Sequence, residues 1–103
     1  MSAAEAPSWS FLTNHAQVLL CIAHDPGVRL REIGDAVGIT ERAAHRIVGE
    51  LAAAGYISRR RDGRRNHYTI KFHLPLPDPL AGERKIGDLL AILTGQPLPE
   101  ANG

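Results

Sequence analysis

Apolar residues recur at helical spacing in four stretches of the chain and alternate in one. From Glu41 to Ala54, a step of about 100° per residue gathers Ala43, Ala44, Ile47, Val48, Leu51 and Ala54 on one arc. Glu41, Arg42, His45, Arg46, Gly49 and Ala53 fall on the opposite arc, with Glu50 on the boundary. The apolar arc has to pack on something. The other is small or polar and carries two arginines. Thr40 is placed to cap this helix, its hydroxyl accepting a free backbone N–H, and Glu41 suits the positive end of the dipole. Gly55 is placed to end it.

Two shorter helical stretches precede it. Residues 14–24 follow a candidate N-cap, Thr13, and carry Ala16, Leu19, Ile22 and Ala23 on one face. Val18, Leu20 and Cys21 extend the apolar surface around this helix, so it should be buried on most sides, and a second chain is one way to achieve that. Asp25-Pro26-Gly27 stops it by turn chemistry. Val28 to Leu30 is short and β-capable, a candidate third strand. Leu30, Ile33, Ala36 and Val37 predict a helix over 31–37. Gly38 then turns the chain into the helix described above, and two short helices joined by a glycine-containing turn read as a helix-turn-helix.

Beyond it, Tyr56 to Arg61 and Asn66 to Phe72 are strand-like runs around Asp62-Gly63, a hairpin turn signal. Tyr68, Ile70 and Phe72 share one face, and His67, Thr69 and Lys71 the other. Leu74-Pro-Leu-Pro-Asp-Pro-Leu80 is expected to be extended, because three prolines forbid a helix. Residues 83–94 turn helical again, with Ile86, Leu89, Leu90 and Leu93 as one stripe and Gly95 as the stop. The chain thus divides into a flexible start (1–8), a domain (9–73), a proline-rich connector (74–82), a terminal helix (83–95) and a flexible tail (96–103).

At 103 residues the chain has room for one domain with a modest core. The net charge is only +1, but it is unevenly spread. Arg42 to Lys71 holds eight basic residues against two acidic ones, a local net of +6, and the remainder is at −5. Such asymmetry points to an anionic partner for one face. The plain alternative is a solvated arginine loop. Five arginines (Arg59, Arg60, Arg61, Arg64 and Arg65) around a hairpin tip favour the first reading. A helix with a basic, small-residue face and an arginine-tipped hairpin suit a two-point grip on DNA, one in the major groove and one on the backbone or minor groove.

One cysteine, Cys21, excludes an internal disulfide and fits a reducing compartment. No signal-peptide pattern is present, and the longest apolar run, Val18 to Ala23, is too short to span a membrane. A cytoplasmic protein is expected. Cys21 and His24 are spaced to share a ligand on one helix, but His15, His45, His67 and His73 are scattered, and zinc normally needs four convergent donors. Cys21 reads better as a small buried apolar group. No metal or cofactor is expected. No phosphate-cradling glycine loop or partnered nucleophile occurs, so the chain reads as a non-enzyme.

The segment LREIGDAVGITERAAHRIVGELAAAGYISRRRDGRRNHYTI resembles the winged helix-turn-helix core of bacterial transcription regulators of the broad MarR/ArsR type. The resemblance covers roughly Leu12 to Phe72, without the long flanking helices of typical MarR-type dimers or the cysteine-rich metal motif of typical ArsR-type sensors. It implies an α+β, mostly helical fold: a three-helix core plus a β-hairpin wing, here with an extra C-terminal helix. It also implies double-stranded DNA as partner and usually a homodimer, and two recognition helices related by a two-fold axis would suit a palindromic operator. By position, Thr40, Glu41, Arg42, His45 and Arg46 would face the groove, and Arg61, Arg64 and Arg65 would belong to the wing. The dimer surface is expected from Trp9, Phe11, Leu20, Ile86, Leu89, Leu90 and Leu93; the alternative is that the terminal helix folds back on the first helix of its own chain, which the proline connector is long enough to permit. The alternatives are a winged-helix module that docks onto protein, and a ligand- or redox-responsive regulator.

Overall fold

The computed structural model describes residues 6–96; of the expected flexible start (1–8) and tail (96–103), residues 1–5 and 97–103 lie outside the described residues. Four helices and one hairpin follow in order: α1 (Asn14–His24), α2 (Leu30–Val37), α3 (Glu41–Ala53), β1 (Ile57–Asp62), β2 (Arg65–Ile70) and α4 (Ile86–Thr94). The fold is a winged helix-turn-helix with an added helix.

Local chemistry explains most boundaries. The Ala16 N–H donates to Thr13 Oγ1 at 3.1 Å, and the Ala43 N–H donates to Thr40 Oγ1 at 3.0 Å, so both threonines cap as their positions suggest. Between α1 and α2 the Gly27 N–H donates to Asp25 Oδ1 at 3.0 Å, which holds the Asp-Pro-Gly turn. The Arg29 N–H at the start of α2 donates to Glu32 Oε1 at 2.9 Å. Gly38 ends α2 at φ 84°, and Gly55 follows α3 at φ 88°, both in the left-handed region that glycine enters without strain. Gly34 has a different reason to be glycine. A Cβ there would lie 2.8 Å from the Ile39 carbonyl oxygen, so the turn between α2 and α3 closes only over a bare backbone.

The core joins all of these elements. Val18, Leu19 and Ile22 of α1 and Ile33 of α2 meet Ala44, Ile47, Val48 and Leu51 of α3, with Ile57, Tyr68 and Ile70 closing over them from the hairpin. Ala54, placed on the apolar arc by spacing, is exposed because it lies where α3 has already ended.

The structure corrects the sequence reading in four places. Residues 28–30 do not form a third strand. The sheet has two strands, and this loop contributes one bond to it, from the Tyr68 N–H to the Pro26 carbonyl at 2.9 Å. The hairpin turn is Gly63-Arg64, not Asp62-Gly63, since Asp62 pairs with Arg65 and Gly63 takes φ 66°. Two-residue turns with glycine first satisfy the strand twist as well as Asn-Gly or Asp-Gly turns do, and here the register selects the former.

The connector is not simply extended. It bulges through a 3-10 turn at Pro79–Ala81 and returns, Pro75 bridging Lys85 and the Leu76 N–H reaching the Arg84 carbonyl at 2.9 Å. As a result α4 begins at Ile86, three residues later than expected, with the Lys85 N–H on Asp88 Oδ2 at 2.9 Å.

The fourth correction bears on assembly. The returning connector lays α4 on α1 of its own chain, and Ile86 and Leu90, expected at a dimer surface, are buried in the chain's own core. Removing each from water is worth roughly 1.5–3 kcal/mol, which stabilises the fold-back without a second chain. Leu89 and Leu20 are half-buried. What α4 leaves outside is Ile92, 78% exposed, and Leu93, 39% exposed.

Candidate nucleic-acid interface

Helix α3 owes its placement to its apolar stripe. Ala44, Ile47 and Val48 are almost wholly buried, which turns Arg42, His45 and Arg46 outward. Thr40, Arg42, Ala43, His45 and Arg46 line a shallow depression of about 400 Å³. Glu41 stands apart from this group and faces the other side of the α3 N-terminus.

That other side is a larger cleft of about 570 Å³ between α2, α3 and the hairpin. Arg64 and Arg65 from the wing line it together with Arg29 and Arg31 from the start of α2, along with Glu41, Asn66 and Tyr68. Among the described residues none of these four arginines is in an ion pair. Four unpaired guanidinium groups against one carboxylate, Glu41, give the cleft a basic lining, and each offers a planar fork of donors of the kind that suits phosphate oxygens. Sequence reasoning missed Arg29 and Arg31. Their only signal was a position flanking the first turn of a predicted helix, and nothing local says that the wing tip comes back to it.

The remaining wing arginines are arranged by the strand register. Arg60 pairs with His67, Arg61 with Asn66 and Arg59 with Tyr68, so the arginines alternate between the two faces of the ribbon. Arg61 does not line the cleft. Its Nε donates to the Gly63 carbonyl at 3.2 Å, which ties it to the turn.

A second feature missed by sequence reasoning lies behind the recognition face. Glu50 Oε1 is 2.7 Å from His15 Nε2 of α1, and Arg46 Nη1 donates to Glu50 Oε2 at 3.1 Å. The bond from His15 first, and the Arg46 guanidinium second, hold the Glu50 carboxyl below the usual carboxylate range. Thirty-five positions separate His15 from Glu50, so no local pattern marks the pair. Both line an otherwise mainly apolar pocket of about 250 Å³ formed by α1, the end of α3, the connector and α4.

Cys21 is a free thiol, partly buried against the core, and burial pushes its pKa up. Among the described residues no three His, Cys, Asp or Glu side chains come together as metal donors.

With recognition helix, hairpin and basic cleft in place, the sequence comparison becomes decisive. The MarR family model matches residues 10–65, more than half of the chain. The chain belongs to the MarR family. It is therefore a winged-helix transcription regulator, of a family whose members bind DNA, generally as dimers. The matched segment runs from just before α1 through the first residue of β2, so it includes the recognition helix and the turn of the wing but not α4. No curated protein matches the chain. No helix among the described residues is long and apolar enough to cross a membrane.

Proposed function

We propose that this MarR-family protein binds a specific duplex DNA site, placing the N-terminal half of α3 in the major groove and the wing on the flanking backbone or minor groove. The observation that carries this reading is the meeting of two surfaces at the start of α3. The depression lined by Thr40, Arg42, His45 and Arg46 adjoins the four-arginine cleft across Glu41. One duplex can therefore touch base edges with the helix and phosphates with Arg29, Arg31, Arg64 and Arg65. Docking onto a protein would call for exposed apolar side chains on this face. The large exposed hydrophobic groups among the described residues are Trp9, Phe11, Leu80, Ile92 and Leu93, all outside it. Burial that raises the Cys21 pKa also disfavours the redox-responsive alternative, which needs a thiolate.

The protein acts as a homodimer in this reading. One recognition helix covers few base pairs, and two set about 34–36 Å apart read both halves of a palindrome. Trp9 and Phe11 support it. They pack edge to face on each other, with ring centroids 4.9 Å apart, and remain 60% and 91% exposed. Ile92 and Leu93 offer a second apolar surface on the outer side of α4. The interface therefore draws on Trp9, Phe11, Ile92 and Leu93, without Ile86 and Leu90.

Selection of bound sites from random duplexes tests the DNA reading. The expected product is an inverted repeat with half-sites one helical turn apart; a pool with no enriched sequence would overturn it. Light scattering at micromolar concentration tests the assembly. A dimer that Phe11→Glu with Leu93→Glu converts to folded monomer is expected, and a monomeric wild type would remove the palindrome from the reading.

A further inference from the structure

Glu50 is poorly placed for helix stability. It sits in the last turn of α3, where the negative end of the dipole opposes a carboxylate. Its partner Arg46 precedes it by four residues, the weaker order for such a pair. Its setting adds no further compensation. Around the pocket wall that Glu50 shares with His15, the connector brings another acidic side chain, Asp78; Tyr56 brings a phenol; and α4 brings only Ile86, Leu89 and Leu90. The carboxylate is nevertheless held from both sides, by α1 through one oxygen and by the recognition face through the other.

We infer that Glu50 is a positioning residue for DNA recognition: anchored by His15, its carboxylate restrains the Arg46 guanidinium and sets how that group is offered to a base edge. This inference rests on the DNA reading above. Arg46 has five N–H donors, and the structure commits one nitrogen to Glu50. The others remain for DNA. A guanidinium fixed at one nitrogen has fewer orientations to lose on binding, which favours one base-pair geometry over others. The same carboxylate partly neutralises Arg46, so it also lowers affinity for duplexes in general. Glu50 thus exchanges affinity for discrimination. His15 decides how firmly it does so, because without that anchor the carboxylate follows Arg46 instead of holding it.

The test is a double-mutant cycle of Glu50→Gln and Arg46→Ala in the full chain, read on the selected site and on variants changed one base pair at a time. Glu50→Gln is expected to tighten binding about 1.5- to 5-fold, the range of exposed ion pairs, and to flatten the preference at one base-pair position. In the Arg46→Ala background it should leave that preference unchanged. His15→Ala should flatten the same position while weakening binding, and His15→Gln, which keeps a donor for Glu50, should restore it. Removal of a distant negative charge would instead tighten all sequences alike, with or without Arg46. Additive effects in the cycle, or a preference untouched by Glu50→Gln, would overturn the inference while leaving the DNA reading intact. A wild-type chain that selects no duplex would overturn both.

Discussion

The recognition helix and the wing differ both in charge and in how they are held: α3 carries two arginines against two glutamates, and the wing five arginines against one aspartate. Helix α3 buries Ala44, Ile47, Val48 and Leu51 against three other elements, so its outer face is fixed with the precision of a packed core. The wing is anchored at its base. Only Ile57 of β1 is buried, and every β1 residue after it is exposed; in β2 only Tyr68 and Ile70 reach the core. A rigid face suits base readout, which fails if a donor moves by an ångström, whereas a ribbon tied at one end suits phosphates, which repeat along the duplex. In the proposed function, one small core would thus support a specific grip and a general one.

The largest effect should come from loosening the first grip at its root. Ile47 is 1% exposed, and Ile47→Ala should cost about 2–5 kcal/mol. Urea unfolding should show stability falling by that amount, with both grips lost together. Gly34→Ala attacks the same joint by forcing the α2–α3 turn open against the Ile39 carbonyl, at about 1–3 kcal/mol. A stable Gly34→Ala protein with unchanged DNA binding would mean that this close approach is not needed to orient α3.

Next come the two arginines of the rigid face. Loss of a guanine-reading arginine, Arg42→Ala or Arg46→Ala, should cost about 1–3 kcal/mol at one base-pair position and relax preference there. If both variants weaken every sequence equally, the comparison fails, because α3 would then be gripping phosphates like the wing.

The wing and cleft should behave in the opposite manner. Alanine at Arg64 and Arg65, or at Arg29 and Arg31, should weaken all duplexes alike. It should also make the salt dependence shallower by about 0.9 for each phosphate no longer neutralised. An equal change from the α2 pair and the wing pair would sharpen the comparison by making the cleft a single phosphate site. An unchanged slope for Arg29→Ala with Arg31→Ala would confine the general grip to the wing.

The smallest effect concerns pH. Glu50 has its folded pKa lowered, so its contribution to stability is present above the unfolded carboxylate value and is lost as pH falls through the folded one. Thermal unfolding followed from neutral to acid pH should therefore decline slightly less for Glu50→Gln than for wild type. A steeper decline in the variant would mean that His15 and Arg46 do not favour the ionised form.

Interactions within a few residues were legible in the sequence. Threonine caps at 13 and 40, glycine stops at 38 and 55, and the two-faced arc of α3 all appear where the local pattern places them, because a helix is closed by bonds between residues four apart and its buried face follows from its pitch. The hairpin was legible as a hairpin, but not its turn. Asp-Gly and Gly-Arg both satisfy the local chemistry, and the pairing of Ile57 with Ile70 chooses between them. Tertiary structure alone decided the rest. The connector's return through Pro75 and Lys85 determines that α4 covers α1 of the same chain, so that Ile86 and Leu90 become core. Arg29 and Arg31 meet Arg64 and Arg65, and His15 meets Glu50, across intervals of more than thirty residues. Charge and apolarity along the chain say that such groups need partners. Which partners they obtain depends on how the elements pack, and packing follows from the shapes of all the buried faces together.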